Sequence, residues 1–495
     1  MSGPALPVAA PTVRLRAGAV ALGVVLLLAA ALRLYHLGTT SLWTDELFTR
    51  FYPKTGLAFL WTEGLRLEPT PPLYYSFILL WEHIAGESAW ALRLPSLAGS
   101  LVSIWLAYLL GRELFERRTS AVLAAALLAL APTNIFYAQE ARSYALQGAA
   151  ITLALLGFAR LLRTPRSRDA LAMYAAGALL AVYLHMTSVL AVAAINGAAL
   201  TAAFGRHRML DRAGLIRWVA ANAAVTLACL PLLPIILSPL TGAAGGWVPK
   251  LDRWSLESAL GSTLAGPNLG REAMVLLEIG VLLLAALVLL PPWRPGRRAL
   301  TVQVLVPGLF LLLMVGVSVQ KPILLSRTLA WLLIPLALVL GDVLTRRLKL
   351  FALMVFGFSI AAAGVYLQNV DAMKEDWRGF LARLPGLGPP ALVVLAPATS
   401  PAALAVYAPG AGETVRMPSE GLPTVETTVI PAMLGIKTIE PADLAAAIAA
   451  GRPVWLIYRR PEYEWMRKIT AGLPPPREAV QEGEGGNPSM RALRW

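Results

Sequence analysis

The sequence predicts a polytopic α-helical membrane protein of about 11 transmembrane helices with a small extracytoplasmic α/β C-terminal domain, and three observations predict it. The 495 residues are 57% hydrophobic and 15% charged, with a mean hydropathy of +0.63; a soluble chain this apolar would aggregate. Apolar runs of about 20 residues, the length that crosses a bilayer, alternate with arginine-rich gaps. After residue 370 the pattern changes to short apolar runs between amphipathic helices.

The apolar segments lie at 17–36, 97–111, 120–136, 145–162, 170–187, 189–204, 216–237, 273–291, 300–318, 323–342 and 349–369. Arg14 and Arg16 precede the first, and no small-residue cleavage site follows it, so it reads as a retained helix with a cytoplasmic N-terminus. From there the cytoplasmic gaps hold Arg112, Arg117 and Arg118, then Arg160, Arg163, Arg166 and Arg168, then Arg206, Arg208, Arg212 and Arg217, and later Arg294, Arg297, Arg298, Arg346, Arg347 and Lys349. The opposite loops are sparser in cations, as the positive-inside rule requires. The net charge of +14 is therefore a topology signal and argues against nucleic-acid binding. Cys229 is the single cysteine, which excludes an intramolecular disulfide and a thiolate metal cage.

Pro71 to Ala85 is apolar but short, and making it a span would invert every later loop. It reads as a juxtamembrane or re-entrant helix begun by Pro71-Pro72, within a structured first external loop at 37–96. Residues 1–371 then form the transmembrane domain and 372–495 an extracytoplasmic α/β domain. In the latter, KEDWRGFLARL is an amphipathic helix, ALVVLAPA and PVWLIYRR are buried strands, and 399–408, 441–450 and 461–472 are helical. The tail PPPREAVQEGEGGNPS reads as mobile. No glycine-rich loop opens any of these helices, so no nucleotide site is expected.

Ionisable residues at span ends and in external loops suit an enzyme that handles a polar head on a lipid tail. Three clusters qualify. SLWTDELFTR carries Asp45 and Glu46, which point in different directions on a helix and so are not expected to share one task; the bland alternative is helix capping by Thr44 or Asp45. LEPTPPLYY carries Glu68, Tyr74 and Tyr75, where an interface anchor explains the tyrosines but not Glu68. NIFYAQEARSYAL brings Gln139, Glu140, Arg142 and Tyr144 within about a turn. There Arg142 suits a phosphate, and a local Glu140 and Arg142 pair is the alternative. Arg327 adds a cation at the same depth, and Arg93 suits either the pocket or a snorkelling anchor. His36 and His185 are isolated and read as hydrogen-bonded rather than metal-binding.

Taken in order, SLWTDE, PPLYY, RLPS, YAQEARSYAL, PILLSRTLAWLLIP and KEDWRGFL, spread over residues 41–380, make the chain resemble the polyprenyl-phosphate-dependent membrane glycosyltransferases of the GT-C fold. That group includes protein mannosyltransferases and lipid A aminoarabinose transferases, and the tenth-span and KEDWRGFL motifs are similar to its bacterial branch. The resemblance implies transfer of a sugar, with inversion, from a polyprenyl-phosphate donor to a hydroxyl or amine of a lipid, glycan or protein acceptor. The place is the extracytoplasmic face of a bacterial cytoplasmic membrane, among membrane lipids and without nucleic acid. It implies Asp45 at the catalytic centre as acceptor-activating base or part of a metal site, Glu46 beside it, and Glu140 and Arg142 shaping the pocket. The family often carries an acid-x-His-Pro-Pro pattern where this chain has Glu68, Pro69, Thr70, Pro71 and Pro72. Thr70 is a poor metal ligand, so dependence on a divalent metal is left open, with Asp45 or Glu68 as ligands if one takes part. Chemistry assigns Arg142 and Arg327 to the donor phosphate and Glu68, Tyr74, Arg93, Gln139, Glu140 and Tyr144 to the pocket. The external domain and the 239–271 loop are expected to cover the site and select the acceptor. The competing class is a lipid or polysaccharide transporter or flippase, which places its ionisable groups at mid-bilayer in broken helices. A membrane scaffold with an external binding domain would leave the Asp45 region unexplained.

Overall fold

The computed structural model describes residues 11–206, 208–237, 248–266, 295–347, parts of 357–367 and, from 374 on, all but 398, 420–422, 460–462 and 483–489. The chain falls into two compact units. Met1–Tyr35, Leu94–Pro231 and Val248–Gln368 form one, and His36–Arg93, Leu232–Trp247 and Asn369–Trp495 the other.

The first unit is helical. Expected spans appear as the helices Pro11–Leu34, Ala89–Leu114, Tyr144–Arg163, Arg168–Leu184, Ser188–Phe204, Arg297–Ser318 and Ser326–Thr345. Those expected at 120–136 and 216–237 appear as bent pairs, Arg118–Leu130 with Pro132–Ala138 at 63° and Arg212–Ala228 with Leu230–Leu237 at 43°. The span expected at 273–291 and most of that at 349–369 lie outside the described residues. Among the described residues, four helices are long and apolar enough to cross a membrane, or up to six if each bent pair is one span.

The first bend has a covalent cause. Pro132 has no N–H to offer the Leu128 carbonyl, so the ladder breaks there. Arg33, fully buried near the end of the helix Pro11–Leu34, supplies the missing donors to Leu128 O (3.3 Å) and Ala129 O (3.0 Å) while its Nε donates to Ser100 Oγ (2.8 Å). A cation at a helix C-terminus is favourable, and here it also satisfies carbonyls that have no water to turn to.

Helices Tyr144–Arg163 and Arg168–Leu184 approach until backbone meets backbone. A Cβ at Gly157 would collide with the Tyr174 amide, and one at Gly177 with the Ala154 amide. Small residues at facing positions permit this approach, which is how apolar helices associate without a hydrophobic driving force between them. Because the colliding atoms are backbone, Gly157→Val should cost about 1–3 kcal/mol. The check is a lower thermal midpoint of the purified protein in detergent, with Gly23→Ala, where nothing lies within 4 Å, as the neutral control.

The second unit contains a mixed six-stranded sheet in the order β3-β2-β1-β4-β6-β5. Its strands are β1 (Leu392–Leu395), β2 (Glu413–Arg416), β3 (Lys437–Thr438), β4 (Val454–Arg459), β5 (Glu478–Gln481) and β6 (Met490–Arg494). The first four are parallel, β6 runs antiparallel to β4, and β5 antiparallel to β6. The runs ALVVLAPA and PVWLIYRR become the adjacent central strands, which are buried along almost their whole length, as parallel strands are. KEDWRGFLARL and the three helical patterns appear as Trp377–Ala382, Pro401–Tyr407, Pro441–Ala449 and Tyr463–Thr470. One part of the expectation is corrected: the tail is not mobile at 478–481, which pairs with β6 as an edge strand. Polar residues in EAVQ hide a strand whose partner, with Met490 and Ala492 buried, supplies the apolar surface. The helix Leu73–Ala85 follows Pro71-Pro72 as expected and has 13 residues.

Candidate functional site

In the second unit the helix Thr44–Phe51 turns its two adjacent acids to different surroundings. Glu46 is fully buried and makes a two-pronged pair with the equally buried Arg93, Nε to Oε1 at 2.7 Å and Nη2 to Oε2 at 2.6 Å. Lys374 Nζ adds a contact at 3.2 Å. The rest of the Arg93 guanidinium is taken up by carbonyls of the preceding loop, Leu37 O at 2.7 Å, Thr40 O at 3.2 Å and Ser41 O at 2.9 Å. Arg93 therefore does not snorkel to an interface; it organises the loop that carries Asp45. Asp45 itself is half-buried.

Neither Thr44 nor Asp45 caps this helix. Trp43 is the N-cap residue and its side chain makes no cap bond. The cap comes from Glu375, within KEDWRGFL, whose Oε2 accepts from Thr44 N (3.2 Å), Thr44 Oγ1 (2.6 Å) and Trp377 Nε1 (3.0 Å). Its Oε1 is bound by Arg459, with Nε at 2.8 Å and Nη2 at 2.5 Å. Arg459 ends β4. Beside β1, that is where the crossovers reverse direction, and outside the carboxyl ends of strands at such a point α/β sheets form their ligand crevices. Sequence reasoning singled out neither Glu375 nor Arg459, although the KEDWRGFL motif was a signal for the first.

Glu426 joins this corner from the short helical turn Val425–Val429. Burial is the main reason its carboxyl is pushed up to about 7; Arg459 opposes the shift, and the like charges of Asp45, Glu68 and Glu375 add to it. Glu68 accepts its own turn's Thr70 amide at 3.2 Å. Tyr74 and Tyr75 are buried rather than anchored at an interface. Tyr75 stands edge-on to Tyr52 (centroids 4.7 Å) and to Phe48 (5.7 Å), which packs the helix Leu73–Ala85 against the Asp45 helix. Among the described residues no three His, Cys, Asp or Glu side chains converge to hold a metal ion.

The first unit holds the other cluster. Gln139 is tied to the end of the first helix, its Nε2 donating to Tyr35 O (2.6 Å) and its Oε1 accepting from Tyr366 (2.9 Å). Glu140 is buried beside it. Arg142 has its carbonyl fixed by Ser96 Oγ at 2.8 Å and its guanidinium 5.9 Å from the Tyr144 ring. Arg327 stands at the same 5.9 Å from that ring. The ring also packs on Tyr137 (5.3 Å) and His185 (5.6 Å), and Tyr137 reaches Ser326, next to Arg327, at 3.1 Å. Two half-buried cations on one aromatic ring are an anion site in the making.

Two outcomes follow from this geometry. Removing one partner of a buried pair strands the other, so Arg93→Met or Glu46→Gln should destabilise the protein by about 3–5 kcal/mol, measured as loss of thermal midpoint. Because the folded carboxyl of Glu426 titrates near 7, above its ordinary 4.5, the stability tied to its protonated form is full below about pH 4.5 and is lost as pH rises through about 7. Glu426→Gln should flatten that decline, and equal pH dependence of the thermal midpoint in parent and variant would refute it.

A family model for dolichyl-phosphate-mannose-protein mannosyltransferases matches residues 69–235. No curated protein matches the chain by sequence. Among solved structures, the fold is similar to that of ArnT from Cupriavidus metallidurans bound to undecaprenyl phosphate, at 12% identity over 98% of each chain with a TM-score of 0.54. The apo state of the same protein gives 11% identity over 95% of this chain and 97% of that one, with a TM-score of 0.55. Likeness at this identity is likeness of fold, and the family model adds the activity class: the chain is a membrane enzyme, a glycosyltransferase of the GT-C fold that resembles the polyprenyl-phosphate-dependent members of that group.

Proposed function

We propose that the enzyme moves a sugar from a polyprenyl-phosphate-linked donor to a hydroxyl or amine of a lipid, glycan or protein acceptor on the extracytoplasmic face, with inversion at the anomeric carbon. The observation that supports this most is the pair of guanidiniums, Arg142 and Arg327, set at equal distance from Tyr144. The ArnT structure of the same fold contains undecaprenyl phosphate, the kind of group such a pair would hold.

In this reading the acceptor's lone pair attacks the anomeric carbon as the bond to the phosphate oxygen breaks. The acceptor proton goes to the Asp45 carboxylate, and the negative charge that collects on the departing polyprenyl phosphate is met by Arg142 and Arg327. Glu46 takes no part in the proton transfer, because its oxygens are engaged by Arg93 and Lys374. Its task, with Arg93, is to hold the Asp45 helix. The pocket roles of Glu68, Tyr74, Gln139 and Glu140 rest on the same reading, as does the extracytoplasmic placement of residues 372–495.

The test is turnover with a panel of undecaprenyl-phosphate sugars. Asp45→Asn should lower the rate by about 10²–10⁴-fold with the thermal midpoint unchanged, and normal turnover would remove Asp45 as the base. Arg142→Ala and Arg327→Ala should each weaken donor binding by about 1.5–3 kcal/mol. Parent-like donor affinity in both would return the arginines to a packing role.

A further inference from the structure

His185 stands beside the two arginines and the steps above do not use it. It ends the helix Arg168–Leu184 in an extended conformation. Its ring is tilted 52° to Tyr144 at 5.6 Å, against the same side chain that both guanidiniums flank.

A short chain of hydrogen bonds matches one of its tautomers. Gln147, one turn after Tyr144 on the same helix, donates through Nε2 to Ser188 Oγ (2.9 Å) and Thr187 Oγ1 (3.4 Å). The Thr187 amide donates to His185 Nδ1 (3.3 Å), and the Thr187 hydroxyl lies 2.8 Å from the same nitrogen. With Nδ1 accepting, the neutral ring carries its proton on Nε2. We propose that this Nε2–H is a third donor to the phosphate held by Arg142 and Arg327, with Thr187 and Gln147 as positioning residues that aim it. This rests on the phosphate reading of the two arginines.

The chemistry favours a neutral donor at this place. A third full positive charge would be repelled by two guanidiniums, whereas an imidazole N–H adds a directed hydrogen bond without added charge. The bond also gains strength as charge collects on the leaving phosphate, so it helps most where the reaction needs it.

The experiment measures binding of undecaprenyl phosphate, and of undecaprenol as the lipid without the phosphate, to the purified full chain. His185→Phe keeps the ring's bulk and loses the donor. It should bind undecaprenyl phosphate about tenfold or more weakly, with undecaprenol binding unchanged. His185→Gln, which carries an N–H at a similar reach, should recover most of the loss. Thr187→Val keeps the imidazole but removes the hydroxyl that orients it. It should show a smaller loss for the phosphate lipid alone, and it serves as the test if His185→Phe does not fold. The inference is overturned if His185→Phe binds as the parent does, if phosphate and alcohol are lost alike, or if Gln recovers nothing. Loss in Arg142→Ala with none in His185→Phe would overturn this inference and leave the arginine reading standing. Parent-like binding in both arginine variants would overturn the arginine reading itself.

Discussion

An ion pair shut away from water, Glu46 with Arg93, is what the second unit's geometry depends on. Burying two charges is costly, and attraction repays the cost only when every remaining donor is used. Here the guanidinium is fully occupied, by two carboxylate oxygens and three loop carbonyls. The loop from Leu37 to Ser41 is therefore folded around a cation, and the helix behind it cannot rotate without stranding Glu46. Successive residues on a helix are about 100° apart, so fixing Glu46 inward fixes Asp45 toward the half-exposed side. The buried acid thereby sets the direction of its half-exposed neighbour.

The same helix is finished by a residue more than three hundred positions away in the chain. Glu375 caps Thr44, and Arg459 at the end of β4 clamps Glu375. The reversal point of an α/β sheet, elsewhere a place for ligands, is here used to hold a loop of the chain itself and to gather Asp45, Glu375 and Glu426 around one guanidinium. The small domain is thus part of the scaffold of the Asp45 loop, and Glu426 puts a carboxyl with near-neutral affinity for protons into the same field.

In the first unit a proline does comparable work. Breaking the helix at Pro132 frees carbonyls that need side-chain donors in an apolar setting, and Arg33, with Asn134 Nδ2 on Leu128 O, meets that need. The turn after the break delivers Gln139, Arg142 and Tyr144 in quick succession. Arg327 and His185 arrive at Tyr144 from two other stretches of chain.

What the sequence determined by itself was whatever follows from local composition and spacing: the apolar spans, the helix after Pro71-Pro72, the two central strands, and the separation of Asp45 from Glu46 by helical geometry. Motif order added the fold, which the ArnT likeness shares. Tertiary structure alone decided which polar residues are buried in pairs and which are left half-exposed. Burial and partner atoms are non-local quantities, so nothing in ALRLPS says that Arg93 meets Glu46, nothing in KEDW says that Glu375 caps Thr44, and EAVQ looks like tail until β6 lies beside it. Arg142 and Arg327 were legible as cations at one depth. That they share Tyr144, and that Thr187 meets the His185 ring at Nδ1, depends on helix packing made possible by glycines such as Gly157 and Gly177, which no single stretch of the chain discloses.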